Sequence, residues 1–381
     1  YAITDDIVVP AGLTLTIEPG VTLQFQTNRS MRVEGGRLLA EGTSSQPIVF
    51  TRQGSGYWGG ILLYGTQADN QIRHAVIEYT RQVIDPPRTH GVTAYGSCVT
   101  IADSVLRHTQ ASNAVIADYD STLYLLRNEI YDIESDAVHA TGGYAFIQGN
   151  HIYDIRRSLY PLEGIEISHM TTPAVLMDNH IHDVSDDCMD LNHSSAVIER
   201  NELHHCDDKG ISIGHPSSTT LVNNLVYACH DGIAVKDGAV SYIVNNTVAD
   251  NRENGIWLYE VQLPGHYGLG AGFATVVNTI VWGNETEIGL DLEHGAVVTV
   301  TYSDVRGDSV WPGEENINTD PLFRAPQSGA YRLLEGSPCV DTATPEGAPD
   351  EDIWNVYRPH GEGYERGAHE FFEYFSCYLP L

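Results

Sequence analysis

The segment that decides the fold is NELHHCDDKGISIGHPSSTTLVNNLVYAC, residues 201–229. It contains one pattern twice, since Asn201 and Asn224 are each followed by an aliphatic residue after two positions and by a cysteine after five. A repeat this short, rich in Val, Ile, Gly and Asn and without helical patterning, suits one coil of a parallel β-helix. The segment therefore predicts a solenoid in which each coil stacks on the one before.

The same asparagine recurs through the middle of the chain. It stands at Asn128, Asn150, Asn179, Asn201, Asn224 and Asn246, with spacings of 22, 29, 22, 23 and 22 residues. Asn278 continues the series after an insertion, and Asp103 and Ala75 hold the same position upstream without the amide. Equivalent positions of successive coils lie about 4.8 Å apart. We therefore predict an all-β, right-handed parallel β-helix with coils of about 22 residues and an asparagine ladder at one turn.

Two further columns follow the asparagines in the same register. Five positions after each Asn stand residues predicted to point inward: Ile133, Ile155, Val184, Cys206 and Cys229. Three positions after stand residues predicted to point outward, a row that we interpret as structural rather than as a sugar platform: Tyr131, Tyr153, His182, His204 and Tyr227. We expect Cys206 and Cys229 to be stacked free thiols, because six cysteines are too few for a disulfide scaffold of this size. Cys339 and Cys377 both lie near the C-terminus and could pair.

The character of the chain changes at about Ser303. The first residues, including VVPAGLTLTIEPGVTLQF (8–25), alternate as strands do, whereas INTDPLFRAPQSGAYRLLEGSPCVD (317–341) is rich in turn residues and lacks the asparagine period. We predict a parallel β-helix over 1–302 and a loop-rich capping segment over 303–381 that packs on it and protects open strand edges. This segment resembles the closing segment of many secreted bacterial β-helix proteins.

Composition limits the partners. Asp and Glu outnumber Lys and Arg by 51 to 20, which gives a formal net charge of −31. This charge argues against nucleic acid, permits cation binding and suits the solvated surface of a secreted protein. No apolar run approaches the roughly 20 residues of a membrane span. The start YAITDDIVVP, with neither a signal peptide nor an initiator Met, is typical of a mature or trimmed extracellular product.

One outward face collects acidic residues. Six coils align as DAVHAT, EGIEISH, DCMDLNH, KGISIGH, DGIAVKD and NGIWLYE, which begin at Asp136, Glu163, Asp187, Lys209, Asp231 and Asn254. In this register five carboxylates fall within two coils: Glu163, Glu166, Asp186, Asp187 and Asp190. Carboxylates this close repel one another, so bound Ca²⁺, raised pKa values or neighbouring cations must compensate.

The two lysines of the chain, Lys209 and Lys236, fall on the two coils directly after these acids, while the other 18 basic residues are Arg. Lysine, unlike arginine, can be shifted to a neutral base by its surroundings. The alternative is that both are counter-ions of a structural acid ladder. A neighbouring column, His169, His193 and His215, either stacks at a turn or forms a transition-metal site.

The acidic face resembles the active sites of two families. DDCMDLN (186–192), GISIG (210–214) and GIAVK (232–236) resemble successive motifs of polygalacturonases. That resemblance implies these roles: Asp186 as general acid, Glu163 and Asp187 as water-activating carboxylates, and Lys236 as a substrate-binding residue. The histidine and arginine of that family are replaced here by Lys209 and Ala234.

The same stretch is similar to the Asp-Asp-x-x-Asp-Leu calcium motif of family 9 pectate lyases. This resemblance implies that Asp186, Asp187 and Asp190, with Glu163 from the coil before, hold Ca²⁺, and that a lysine is the base. Glu166 lies on the same face as a further candidate ligand. DKGIS and GIAVKD also resemble a broad group of secreted bacterial β-helix proteins to which no single activity is assigned.

These patterns favour a Ca²⁺-dependent lyase that cleaves an acidic, uronate-containing polysaccharide by β-elimination on the outer face. Elimination needs a neutralised carboxylate, a base at C5 and stabilisation of an enolate-like intermediate, which a cation and Lys236 or Lys209 would supply. Candidate substrate-binding residues are His193, His215, Asp231, Tyr227, Trp257 and Tyr259, with the insertions 156–162 and 259–272 as walls. The alternatives are a polygalacturonase-like hydrolase and a non-catalytic extracellular carbohydrate-binding, surface or fibre-forming protein. Either a monomer or a self-associating protein is compatible with the sequence.

Overall fold

Three parallel β-sheets wind around one axis. The computed structural model describes residues 1–83, 89–156, 161–262 and 268–372. The chain visits sheets 1, 2 and 3 in turn, and each strand pairs in parallel with its counterpart on the next coil. The predicted parallel β-helix is therefore confirmed. None of the described helices has the length and apolar character needed to cross a bilayer.

The strands are short. Sheet 1 comprises Ala2–Ile3, Thr22–Phe25, Ile48–Arg52, Ala75–Glu78, Val105–Thr109, Glu129–Ile133, His151–Ile155, His180–Val184, Glu202–Cys206, Leu225–Tyr227, Thr247–Ala249, Ile280–Trp282 and Asp304–Val305. Sheet 2 comprises Ile7–Pro10, Met31–Glu34, Ile61–Tyr64, Val92–Tyr95, Val115–Asp118, Val138–Thr141, Ile165–Ser168, Met189–Asn192, Lys209–Gly214, Asp231–Lys236, Asn254–Tyr259 and Thr286–Leu290. Sheet 3 comprises Thr14–Ile17, Arg37–Glu41, Asn70–Arg73, Cys98–Ala102, Thr122–Leu126, Tyr144–Gln148, Ala174–Met177, Ser195–Glu199, Ser218–Val222, Val240–Val244, Phe273–Val277 and Val297–Thr301. Outside the sheets, Phe323–Ala325 pairs with Ala330–Leu333, and Leu292–His294 and Pro326–Ser328 are single 3-10 turns.

The core consists of inward-pointing apolar columns. Ile133, Ile155, Val184 and Cys206 pair in register and are buried, as predicted. Alternation along each strand sends every second side chain to this core and the others to the outer faces. The outer faces are thus left to polar side chains.

The asparagine ladder lies at the turn between sheets 3 and 1, as predicted. The backbone N–H and the Nδ2 of Asn179 both donate to Oδ1 of Asn201, at 3.0 and 2.9 Å. Asn201 Nδ2 donates in turn to Asn224 Oδ1 and to the carbonyl of Leu176, both at 2.9 Å. The ladder asparagines are at most 2% exposed. Each rung therefore satisfies the buried polar groups of its neighbours.

The ends of the ladder differ from the prediction by one residue. Thr279, not Asn278, accepts from the Asn246 N–H, and Ser104, not Asp103, pairs with Asn128. Ala75 does hold the predicted position. Asn278 has φ 52° and stands in the left-handed column that precedes the ladder. Because asparagine favours both this backbone conformation and the ladder, its identity alone does not separate the two positions.

The expectation of free thiols is wrong for Cys206. Cys206 forms a disulfide with Cys188, which directly precedes the sheet 2 strand of the coil before, while Cys229 is a free, buried thiol. Cys188 occupies a column that holds glycine in the coils on either side, at Gly164 and Gly210, and a Cβ added at Gly210 would lie 3.5 Å from Cys229 Sγ. A side chain in this column therefore points at the inward stack, which brings Cys188 to Cys206.

The C-terminal segment lies along the flank of the coils. Its backbone carbonyls accept hydrogen bonds from Asn223, Asn245 and Asn278, and Tyr331 packs on Tyr227 with ring centroids 4.9 Å apart. The sheet 1 strand Asp304–Val305 extends just past the predicted boundary at residue 302, which remains a prediction. The Cys339 thiol lies 3.2 Å from Asp304, and Cys377 is outside the described residues, so their pairing also remains a prediction.

Candidate active site

The acidic and basic residues stand on neighbouring rungs at sheet 2. Ile165 pairs with Met189, Met189 with Ile211 and Ile211 with Ile233, which is the register predicted from the sequence. In this register Glu166, Asp190 and Ser212 form one outward column. The fold thus brings four consecutive coils of polar side chains to one side of the solenoid.

Asp187 and Lys209 form a buried pair. They are 5% and 7% exposed, and Asp187 Oδ1 accepts from the backbone N–H of Lys209 at 2.8 Å and lies 3.4 Å from its Nζ. Lys209 Nζ also contacts the Asp208 carboxylate. Burial opposes the charge of Lys209, but Asp187 and Asp208 outweigh it and raise the pKa of the lysine. Lys209 is therefore a counter-ion, because its raised pKa keeps it protonated and unsuited to act as a base.

Carboxylates crowd together beside this pair. Oxygens of Asp186, Asp187 and Asp208 lie within 4.8 Å of one another. Burial, followed by repulsion from Asp187 and Asp208, raises the pKa of Asp186 to about 7. Burial also raises the pKa of Asp187 to about 6, even though Lys209 opposes this rise.

Glu163 and Glu166 meet different neighbours. Burial, a side-chain hydrogen bond to Asp136 and nearby negative charges, including Asp186 and Glu166, raise the pKa of Glu163 to about 10. Glu166 lies 2.5 Å from His139 Nδ1, a contact that raises the pKa of His139 despite burial. Glu163 thus meets a second acid, Asp136, whereas Glu166 meets an imidazole.

Asp190 and Lys236 lie at the other edge of the acid patch, which we define as Glu163, Asp186, Asp187, Asp190 and Asp208. Asp190 Oδ2 accepts from Asn192, whereas its buried Oδ1 has no hydrogen-bond donor among the described residues. Lys236 Nζ lies 3.7 Å from this Oδ1. Lys236 Nζ donates to Ser212 Oγ at 2.8 Å. A Cβ at Gly214 would lie 2.7 Å from Lys236 Cε, so the glycine makes room for the lysine.

Two adjoining clefts run along this side. The first, of about 400 Å³, is lined by Glu166, Ser168, His169, Asn192, His193, His215, Lys236, Asp237 and Val261. The second, of about 520 Å³, is lined by Trp257, Tyr259, Glu260, Val261, Gln262, Leu290 and Asp291. Trp257 and Tyr259 stack with centroids 3.7 Å apart. Val261 and Gln262 form part of the predicted wall 259–272; residues 263–267 of it, and 157–160 of the other wall, are outside the described residues.

Two predicted substrate-binding residues are not available on this face. Tyr227 belongs to sheet 1 and is 8% exposed, because Tyr331 of the C-terminal segment covers it. Asp231 is 1% exposed, and its Oδ1 accepts from the backbone and side chain of Asn254. Asp231 therefore binds the next coil rather than a ligand.

The histidine column sits at the turn that follows sheet 2. His169, His193 and His215 all have φ near 50°, and the first two rings stack 4.4 Å apart. Burial and the neighbouring imidazoles lower the pKa of His193. This column belongs to none of the metal-compatible groups among the described residues, but it lines the first cleft.

The sequence analysis missed three contributors to the site. Asp208, Asn192 and Ser212 contact Lys209, Asp190 and Lys236 respectively. A signal was available for Asp208, which stands one coil after Asp186 in the same column. Asn192 and Ser212 carry no such signal, because polar residues are ordinary on an outward face.

Family models match most of the chain. A model for the right-handed beta helix region matches residues 59–195 and 163–311, and one for a pectate-lyase like beta helix domain matches residues 1–83. No curated protein sequence matches the chain.

Solved structures share the fold at low identity. A variant of the periplasmic alginate epimerase AlgG is 15% identical with a TM-score of 0.54, and the alignment covers 78% of this chain and 74% of that one. Pectate lyase Pel9A is 13% identical with a TM-score of 0.51, and the alignment covers 96% of this chain and 87% of that one. These likenesses show the fold alone.

Proposed function

The chain belongs to the right-handed β-helix family, and from that premise we propose that it is a Ca²⁺-dependent lyase of an acidic, uronate-containing polysaccharide. The observation that carries the proposal is Lys236, a lysine whose Nζ borders both an acid patch and an open cleft. A pectate lyase and an alginate epimerase are among the structural neighbours, which supports a carbohydrate-active enzyme.

Lys236 is the base in this proposal. Its Nζ is held by Ser212 Oγ, and its side chain is 15% exposed, so it reaches the cleft without being free in water. Lysine accepts a proton once desolvation and a nearby cation favour its neutral form. Lys236 takes the C5 proton of the uronate, the C5–H electron pair forms the C4–C5 double bond, and the C4–O bond breaks. The leaving oxygen takes a proton from water. Lys209 is a positioning residue that holds Asp187 and Asp208.

The acid patch suits Ca²⁺. Its donors are all carboxylate oxygens, which this ion prefers, and Asp190 Oδ1 accepts no hydrogen bond from the described residues and so can serve as a ligand. Asp186, Asp187 and Asp190, with Glu163, would hold the ion. Bound there, Ca²⁺ would neutralise the substrate carboxylate and stabilise the enolate-like charge. With a net charge of −31, the protein would otherwise repel an anionic polymer.

The polymer would lie across the coils. The two clefts share Val261, so sugar rings next to the reacting unit would meet the stacked Trp257 and Tyr259. His193 and His215 line the first cleft and are positioned to donate hydrogen bonds to hydroxyl or carboxylate groups. The Cys188–Cys206 disulfide supports a secreted or extracellular location, because such bonds persist in oxidising compartments.

A hydrolase is the second candidate, and one observation favours it. The pKa of Asp186, raised to about 7 by burial and by Asp187 and Asp208, moves in the direction that a general acid needs. The replacement of the family's histidine by Lys209 weighs against it. The two reactions differ in their products, because only elimination leaves a double bond.

The test incubates the protein with polygalacturonate, alginate and glycosaminoglycans in Ca²⁺ or EDTA. We expect ultraviolet absorbance from unsaturated ends with one polymer class, and its loss in EDTA. Lys236→Ala and Lys236→Arg should each lower kcat about 10²–10⁴-fold, since neither can accept the C5 proton at neutral pH.

The matched control is Lys209→Arg, which keeps the counter-ion and should keep most of the activity. New reducing ends without ultraviolet absorbance would favour the hydrolase. Neither product from any polymer would leave a non-catalytic binding or surface role, and full activity in Lys236→Arg would remove this lysine as the base.

A further inference from the structure

A group of histidines lies on the outer face of sheet 1, apart from the acid patch. We call it the histidine cluster: His151, His180, His182 and His204. His180 and His182 are two positions apart on one strand, and Glu202 and His204 on the next. Side chains two positions apart share a face, and paired strands bring them side by side. Three consecutive coils thus present four imidazoles and a carboxylate together.

The ring nitrogens of the cluster face one another. His151 Nε2 lies 2.9 Å from His182 Nε2, and His180 Nε2 lies 2.9 Å from His204 Nε2. The rings of His182 and His204 stack 4.8 Å apart with 3° between their planes. All four side chains are half-buried, so they are accessible to a small ion.

The outer nitrogens are already occupied. His182 Nδ1 lies 2.8 Å from the Asp183 carboxylate, and His204 Nδ1 lies 2.6 Å from His205 Nδ1. A carboxylate at Nδ1 holds the proton there and leaves the Nε2 lone pair for another partner. Metal-binding histidines commonly have this carboxylate–imidazole arrangement.

We propose that the histidine cluster binds one divalent transition metal ion of the Zn²⁺ type. Ligand atoms of His151, His180 and His182 lie within 4.8 Å of one another, as do those of His180, Glu202 and His204. Zn–N bonds of about 2.0–2.1 Å in a tetrahedron place two nitrogens roughly 3.3 Å apart. The pairs at 2.9 Å therefore need to open by only about 0.4 Å.

Both sets of ligands contain His180, so they hold one ion at a time. The set of His180, Glu202 and His204 is preferred, because its carboxylate offsets part of the charge of the dication. Imidazole and carboxylate ligands suit Zn²⁺, Ni²⁺ and Cu²⁺ better than Ca²⁺, which favours oxygen.

The test is a calorimetric titration of the chelator-treated, dialysed chain with Zn²⁺ in excess Ca²⁺, which competes for the acid patch. We expect one Zn²⁺ per chain with a micromolar or lower Kd. His180→Ala should weaken binding at least 100-fold, and His151→Ala should weaken it less than His204→Gln does. Asp183→Asn should have a small effect like that of His151→Ala, because its partner His182 belongs to the other set of ligands.

His108→Ala is the matched control, since His108 also belongs to sheet 1 and contacts a carboxylate, Asp132, but has no second imidazole ligand beside it. It should bind Zn²⁺ as the wild type does. Circular dichroism checks that each variant folds, and if His180→Ala does not, His204→Gln with the Co²⁺ absorption spectrum decides. No Zn²⁺ binding by the wild type would overturn the proposal, as would binding as tight as that of the wild type by folded His180→Ala and His204→Gln. Neither result depends on lyase activity.

Discussion

The asparagine ladder and the acid patch both place buried or half-buried polar side chains on successive coils, yet they behave in opposite ways. An amide donates and accepts, so Asn179, Asn201 and Asn224 bind one another directly. A carboxylate only accepts, so Asp208, one coil after Asp186, repels it and raises its pKa. In a solenoid, repetition stabilises a self-complementary side chain and destabilises a charged one.

The acid patch is tolerated because its rungs are not identical. Lys209 pairs with Asp187, and Lys236 lies beside Asp190. These compensations leave the Asp190 Oδ1 without a hydrogen-bond donor among the described residues. The ladder is therefore a finished structural element, whereas the acid patch is one that, in our proposal, a cation completes.

The largest expected effect comes from breaking the ladder. Asn201→Ala removes the acceptor of two Asn179 donors and leaves them buried. Each orphaned buried donor costs about 1–3 kcal/mol, so we expect the free energy of unfolding to fall by roughly 4 kcal/mol. Denaturant titration followed by circular dichroism measures this change.

Gln53→Ala, at an exposed amide, should change stability by less than about 0.5 kcal/mol. Asn201→Asp keeps the acceptor but loses the donor, so its stability should lie between those of Asn201→Ala and Gln53→Ala. Equal stabilities of Asn201→Ala and Gln53→Ala would show that the ladder does not stabilise the coils.

The second largest effect on stability is expected from the disulfide, which we expect to keep the coils of the acid patch together despite the repulsion between their carboxylates. Cys188 follows Asp187 directly, and the 18-residue separation to Cys206 predicts a loss of about 3 kcal/mol in the double variant Cys188→Ala/Cys206→Ala. Reductant should destabilise the wild type by a similar amount and leave the double variant unchanged. Cys229→Ala is the control, and a reductant effect that persists in the double variant would contradict this role.

The disulfide also shows where sequence reasoning ends. Periodicity predicted the coils, the ladder and the columns because each depends only on equivalent positions. It placed Cys206 over Cys229 for the same reason, but Cys188 reaches Cys206 from a different column, at the turn between sheets 1 and 2 of the coil before. Contacts between different columns depend on side-chain direction at the turn, which a period does not contain. Periodicity also gave no sign that Tyr227 is covered, because the segment that covers it lies outside the repeat.

A smaller effect of opposite sign is expected in the acid patch. Asp186→Asn removes a repelling charge, so in EDTA the chain should gain about 1 kcal/mol of stability. In Ca²⁺ the wild type should instead be the more stable of the two. A ligand at 100 times Kd stabilises the wild type by about 2.7 kcal/mol, and the variant loses this stabilisation. Thermal unfolding in EDTA and in Ca²⁺ measures both signs.

Asp154→Asn, at an exposed acid outside the patch, should show neither change. If Ca²⁺ stabilises Asp186→Asn as much as the wild type, the ion binds elsewhere. If Asp186→Asn is destabilised in EDTA, the patch is a finished structural element like the ladder.

The smallest effect concerns a third way to bury neighbouring acids, which is to share a proton. Glu365 and Glu370 are 1% and 2% exposed, and burial together with the hydrogen bond to Glu370 raises the pKa of Glu365 to about 9. The folded value lies above the ordinary value of 4.5, so this contribution to stability is complete below that pH and is lost as pH rises through about 9. The protection factors for hydrogen exchange in the C-terminal segment, which are corrected for the base catalysis of exchange itself, should therefore fall at alkaline pH. Glu365→Gln donates to Glu370 at every pH, so its protection factors should not fall in this way; the same pH profile in the variant and the wild type would mean that the two acids do not share a proton.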